Sequence, residues 1–247
     1  MTRNVVVSGG GTGIGHAVAR TFALSGDRVT ILGRRAEVLA DAAERLNKDA
    51  GAERVGWLQA DLRLPAEVER AVAALDPGPV DVLVNAAGGV PTVEGLDGLE
   101  AVAADWRAEF DTNVLTAVLL TTALVPRLRR PGGRVVSLSS IAALRGGGGS
   151  YSGAKAALHG WTYGLAADLG AEGITVNLVA PGYVEGTEFF GGPMTPERHR
   201  RLVEQTVVGR PGRPEEVAGM VRYLASEEAA DVTGQVLQIN GGALFGR

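Results

Sequence analysis

Short runs of β-branched and aliphatic residues recur along the chain, separated by longer stretches in which apolar residues return every three or four positions. The runs are NVVVS (4–8), RVTILG (28–33), RVGWLQA (54–60), VDVLVNA (80–86), GRVVSLS (133–139), ITVNLVA (174–180) and QVLQIN (235–240), and each predicts a strand. Intervening segments such as AEVLADAAERLNKDA have the period of a helix that lays one face on a sheet. Strands that are nearly all apolar, rather than alternating, are buried on both faces, as in a parallel sheet covered by helices on each side. The pattern predicts a doubly wound α/β domain with seven strands, and ligands of such sheets bind at the carboxyl ends of the strands.

Composition narrows the partners. The 247 residues, 45% of them hydrophobic, suit one large domain. A net charge of −4 provides no basic field for nucleic acid, so no nucleic acid is expected, and a small-molecule substrate is. Cysteine is absent and the three histidines, His16, His159 and His199, are scattered, so neither a disulfide nor a metal site is expected. No basic start and apolar core precede the first strand, and the longest apolar stretch, NVLTAVLLTTALVP, is shorter than the roughly 20 residues of a membrane span. A soluble cytoplasmic protein without membrane contact is the expectation.

Candidate chemistry gathers at two places. Directly after the first strand, SGGGTGIG leads into a helical segment, with Gly9, Thr12, Gly13, Ile14 and Gly15 in the turn. Glycine lets the backbone approach a pyrophosphate closely, and the helix start offers free N–H groups and a positive dipole end. The second strand ends in GRR, with no acid to take a ribose 2′-hydroxyl; Arg34 and Arg35 at a helix start suit an anion such as a 2′-phosphate, which favours NADP over NAD. The alternatives are pairing with Glu37 or exposure to solvent. Asp61 and Leu62 end the third strand where an adenine would lie, and Asn85, Ala86 and Gly88 of NAAGG end the fourth.

At the other place, SSIAALRGGGGSYSGAK carries Tyr151 and Lys155 four apart at a helix start, on one face. A phenol near pKa 10 is a poor acid–base group at neutrality, and a neighbouring ammonium is expected to lower it. The run Gly146 to Gly149 allows a turn at backbone angles other residues resist, whether or not it opens the floor of a substrate pocket.

With SGGGTGIG, NAAG, Asn113 in DTNVLTAVLL, the serine pair, YSGAK, APG (180–182) and TGQVLQINGG in view, the chain resembles the short-chain dehydrogenase/reductase family over essentially its whole length, and is similar to its 3-oxoacyl-[acyl-carrier-protein] reductases. The resemblance implies a Rossmann-type NAD(P)-binding domain over 1–247 with a substrate lid at about 183–208. It implies a tetrad of Asn113, a serine, Tyr151 and Lys155: Tyr151 as general acid, the serine positioning the carbonyl, Lys155 tuning Tyr151 and holding ribose, and Asn113 ordering a water in a proton relay. It also implies cofactor contacts from Pro181, Gly182, Val184 and Thr187, and a homotetramer or homodimer built on residues 105–129 and 151–170.

Departures from the family pattern matter as much. Ser8 replaces the usual Thr, and Thr12 stands where many NADP-preferring members carry a basic residue. Thirteen positions before Tyr151 lies Leu138, which cannot hydrogen-bond a carbonyl; a loop two residues shorter makes Ser140 the candidate, with Ser139 second. The family's threonine after APG is displaced from Gly186 to Thr187, and Phe189, Phe190 and Met194 are expected to line the lid. ERHRR (197–201) is expected to be a solvated helix face rather than a dock for a carrier. The activity implied is NADPH-dependent reduction of a ketone, free or carrier-bound. Oxidation of an alcohol, sugar or steroid, and nucleotide sensing without turnover, are the alternatives.

Overall fold

Each apolar run is a strand: β1 (Asn4–Ser8), β2 (Arg28–Gly33), β3 (Val55–Gln59), β4 (Val82–Asn85), β5 (Arg134–Leu138), β6 (Thr175–Pro181) and β7 (Val236–Ile239). In this computed structural model, which describes residues 2–190 and 194–246, they form one parallel sheet in the order β3-β2-β1-β4-β5-β6-β7. The order reverses between β1 and β4, and the reversal leaves a crevice at their carboxyl ends. The seven-stranded, doubly wound domain expected from the pattern is the one found.

The helices are α1 (Gly13–Leu24), α2 (Ala36–Ala50), α3 (Pro65–Ala74), α4 (Gly98–Phe110), α5 (Thr116–Leu124), α6 (Ala142–Arg145), α7 (Gly149–Gly170), α8 (Pro196–Val203) and α9 (Pro214–Leu224). Side chains of β1 show why both faces had to be apolar. Val5 and Val7 join Phe22, Leu39 and Leu224 in a core under α1, α2 and α9, whereas Val6 joins Leu83, Leu120 and Leu169 under α3, α5 and α7. Fully burying each leucine of this kind contributes about 1.5–3 kcal/mol.

Two local features aim the site. A π-helical turn, Asp111–Leu115, joins α4 to α5 and carries Asn113; single π turns inside helices frequently mark functional positions. In α7, Ala154, Leu158, Thr162, Ala166 and Leu169 form a buried stripe at helical spacing that docks the helix on the sheet. That docking brings the first turns of α7 to the carboxyl end of β5.

The run Gly98–Arg127 has the length and mean hydropathy to cross a membrane, longer than the apolar stretch alone suggested. Here its α5 half packs on the sheet, with Leu120 and Leu124 fully buried, and its α4 half lies against α7. The glycine run ahead of α7 is explained by its backbone: Gly146, Gly147 and Gly149 have φ of +75°, +89° and +55°, in the left-handed region where a side chain strains. A Cβ at any of the three would face open space. Conformation, not packing, requires glycine there.

Candidate active site

The turn after β1 is built by close approach. A Cβ on Gly15 would lie 2.3 Å from the carbonyl oxygen of Gly9, and Gly9 itself has φ +68°. We expect Gly15→Ala to force the turn apart at a cost of about 1–3 kcal/mol, which for a chain this long lowers the melting temperature by about 2–12 °C; thermal unfolding followed by circular dichroism checks it. The Ser8 hydroxyl ties this turn to the segment after β4, because its Oγ accepts from the backbone N–H of Ala86 and of Ala87, both at 3.1 Å. Thr12 is the N-cap of α1 yet makes no side-chain cap, and no acid lies in the first turn. The N–H groups and positive dipole end of α1 are therefore uncompensated by the helix itself, and fit the pyrophosphate of a dinucleotide.

Arg34 and Arg35 are exposed at the end of β2. Arg35 pairs not with Glu37 but with Glu188, 2.7 Å away, from the segment that follows β6. In the same segment the Thr187 side chain lies 3.5 Å from where a Gly13 Cβ would be, and the Phe189 ring meets Tyr151 edge-on at 5.3 Å between centroids. This segment thus reaches over the turn, the arginines and Tyr151 together. Tyr183 at its base shares a 2.8 Å hydrogen bond with His199 of α8, whose arginines Arg200 and Arg201 are exposed. Met194 is half-buried, while the side chain of Phe190 and residues 191–193 lie outside the described residues.

Four of the residues expected at the cofactor have side chains engaged within the protein. The Asn85 amide donates to Thr121 Oγ1 at 2.9 Å and Ser137 Oγ at 3.0 Å, so it braces β4 against β5 and α5. Leu62 and Val184 are buried in the two cores, leaving only their backbone for a ligand. Asp61 is gripped by Arg63, whose Nε donates at 2.9 Å and holds the carboxyl below its usual range. Asn85 is the last residue of β4, whereas Leu62 and Val184 lie three residues past β3 and β6, where their apolar side chains turn into the cores. Ala86, Gly88, Ile14, Pro181 and Gly182 stay at the carboxyl ends of the strands or in the turn, around the crevice.

The reacting groups converge from three elements. Ser140, just past β5, accepts from the N–H of Ala142 at 3.1 Å, and its hydroxyl also hydrogen-bonds Tyr151. Ser139 faces the other way, donating to the Lys155 carbonyl at 3.2 Å and meeting His159 Nε2 at 2.8 Å. Lys155 is 5% exposed, and its Nζ donates to the Leu138 carbonyl at 3.0 Å. Asn113, 1% exposed, is clamped to Gly89: its Nδ2 donates to the Gly89 carbonyl at 2.8 Å and its Oδ1 accepts from the Gly89 N–H at 3.1 Å. A Cβ on Gly88 would lie 2.7 Å from Asn113 Oδ1 and 3.2 Å from Lys155 Nζ, so both polar ends approach one bare Cα.

The electrostatics differ from the sequence expectation in one respect. Burial pushes the Tyr151 phenol up to about 12, against the pull of its hydrogen bond to Ser140, instead of Lys155 drawing it down. Lys155 Nζ is 5.9 Å from the ring centroid and is committed to Leu138. Burial also takes Lys155 down to about 8. One further group has no counterpart among the residues expected from sequence: Glu109, 2% exposed, accepts from Asn113 Nδ2 at 2.7 Å and is pushed by burial up to about 7. Its position four residues before Asn113 on a helix was the available signal.

Comparison with known proteins finds the same architecture. Residues 9–243 match the family described as enoyl-(acyl carrier protein) reductase. The acetoacetyl-CoA reductase of Shinella zoogloeoides is 35% identical, over 99% of this chain and all of its own. A short-chain type dehydrogenase/reductase from Mycobacterium ulcerans superposes with a TM-score of 0.88 at 30% identity, covering 98% of this chain and 89% of its own. The actinorhodin polyketide ketoreductase, solved with NADPH, superposes with a TM-score of 0.84 at 32% identity, covering 98% and 97%.

Proposed function

The chain belongs to the short-chain dehydrogenase/reductase family, and from that premise we propose that it reduces a ketone, free or as a 3-oxoacyl thioester, to a secondary alcohol with NADPH. The observation that carries this is the meeting of Ser140, Tyr151, Lys155 and Asn113 beside a helix start free to take a pyrophosphate. A relative named for acetoacetyl-CoA reduction and a neighbour solved with NADPH support the substrate class and the cofactor.

NADPH, when bound, supplies the hydride. Gly9, Gly13 and Gly15 would hold its pyrophosphate, Arg34 and Arg35 its 2′-phosphate, and Lys155 its ribose. Ser140 orients the carbonyl oxygen by hydrogen bond, and Tyr151 gives that oxygen a proton. A phenol at about 12 stays protonated throughout the neutral range, which is the form a general acid needs. The phenolate left behind is the costly species, and the Lys155 ammonium offsets its charge. The segment 183–208, which carries Thr187, Glu188 and Phe189, acts as the lid that shuts the site from water.

Oxidation of NADPH with an acetoacetyl thioester and a panel of cyclic ketones tests this: turnover supports it, and NADPH that binds without being consumed by any of them counts against it. The dependence on pH has a definite sign. Lys155 must be an ammonium, so kcat/KM for reduction falls as pH rises through about 8; a profile still level well above that removes Lys155 from the role. The reading takes the protein as a soluble cytoplasmic homotetramer or homodimer. Leu99, Val102 and Trp106 on α4 and Tyr163 on α7 are exposed apolar residues able to form the interface. Light scattering that gives a monomer at micromolar concentration would remove the assembly.

A further inference from the structure

A cation as deeply buried as Lys155 is costly unless an opposite charge compensates it. Among the described residues Lys155 forms no direct ion pair, and its ammonium rests on a carbonyl oxygen. The acid that acts on it is Glu109 of α4, equally buried and joined to the site through Asn113. Asn113 Nδ2 reaches both the Glu109 carboxylate and the Gly89 carbonyl, while its Oδ1 and Lys155 Nζ both stand close to the bare Cα of Gly88. Carboxylate, amide and ammonium stand in one buried row.

We propose that Glu109 is a positioning residue of this reaction: its carboxylate is the counter-charge that keeps Lys155 an ammonium, and its hydrogen bond aims the Asn113 amide. This rests on the ketoreductase reading above. The other charged and titratable groups around the row are accounted for. Asp105, one turn earlier on α4, repels Glu109 and is bound by the Ser150 hydroxyl from α7. On α7, Tyr151 feels Glu109 as a charge that opposes phenolate, and His159 is turned to Ser139. Burial pushes Glu109 up to about 7 and Lys155 down to about 8, and each charged form favours the other. In a low-dielectric interior that attraction persists without contact.

The chain has two lysines, Lys48 and Lys155, which makes the test direct. Protein grown with lysine labelled at Cε is titrated by NMR without cofactor or substrate, Lys48 serving as the internal control. Glu109→Gln keeps the shape and an oxygen for Asn113 but removes the charge; the Lys155 midpoint should fall by about one pH unit or more, and Lys48 should not move. Glu109→Leu gives the same shift should the glutamine variant not fold. Glu109→Asp, which keeps the charge, should hold the midpoint nearer the parent. A Lys155 midpoint unchanged in the neutral variants overturns the proposal. Because the titration needs no turnover, a protein that reduces no ketone would sink the ketoreductase reading and leave this result standing. In an active enzyme the alkaline limb of kcat/KM moves to lower pH along with the lysine.

Discussion

Tyr151→Phe should lower kcat for ketone reduction by about 10²- to 10⁴-fold while NADPH binds almost as before. The substitution removes one oxygen and nothing else. The ring keeps its edge-on contact with Phe189 and stays beneath Lys155 Nζ, so the fold of the site and the lysine that would hold ribose are preserved. What disappears is the proton donor for the carbonyl oxygen and the partner of Ser140. Hydride delivery would then have to place a bare alkoxide in a site closed to water, and solvent is a poor substitute for a positioned acid. Single-turnover reduction and a fluorescence titration with NADPH separate the two effects. Loss of both together would mean that the hydroxyl is needed to build the site. Retention of full activity would assign the proton to another group and remove the mechanism. A nucleotide sensor without turnover would be indifferent to the change, so the same experiment decides that alternative.

The second large effect concerns cofactor choice. Replacing Arg34 and Arg35 together by alanine should weaken NADPH binding on the order of 10²-fold and leave NADH unaffected. A hydrogen bond to a charged group is worth about 1.5–3 kcal/mol, and exposure and salt screening reduce what two such arginines contribute in sum. The pair between Arg35 and Glu188 has a sign of its own here. Glu188 occupies the guanidinium that a 2′-phosphate would take, so Glu188→Ala should strengthen NADPH binding a few-fold, about the range of an exposed ion pair. Calorimetric titration with both cofactors checks the two variants side by side. Equal losses for NADPH and NADH would show that the arginines shape the loop rather than read the phosphate.

Much of this site could be read from residue order because it is built on local geometry. A strand, a glycine turn and a helix start follow one another directly in SGGGTGIG, so the anion site comes with the turn. Tyr151 and Lys155 lie on one face by helical spacing alone. The choice between Ser139 and Ser140 was not local. Both follow β5, and only the docking of α7 turns one hydroxyl to Tyr151 and the other to His159 and the Lys155 carbonyl.

The side chains that the structure engages within the protein share that cause. Asn85 ends β4, and Leu62 and Val184 lie three residues beyond β3 and β6, where a side chain can face either the crevice or a core, and the helices that settle the matter come from distant parts of the chain. Protonation is of the same kind. The direction of the Tyr151 shift depends on how much water is excluded around it, which burial decides and spacing cannot. By itself, then, the sequence determined the seven strands, the doubly wound order of elements, the glycine turn and the Tyr–Lys pair, because hydrophobic period and short spacings act within a few residues. Only the tertiary structure decided which hydroxyl meets the tyrosine, that Glu109 is buried beside Asn113, and how far the phenol and the ammonium are shifted, because each depends on groups brought together from different elements in a dry interior.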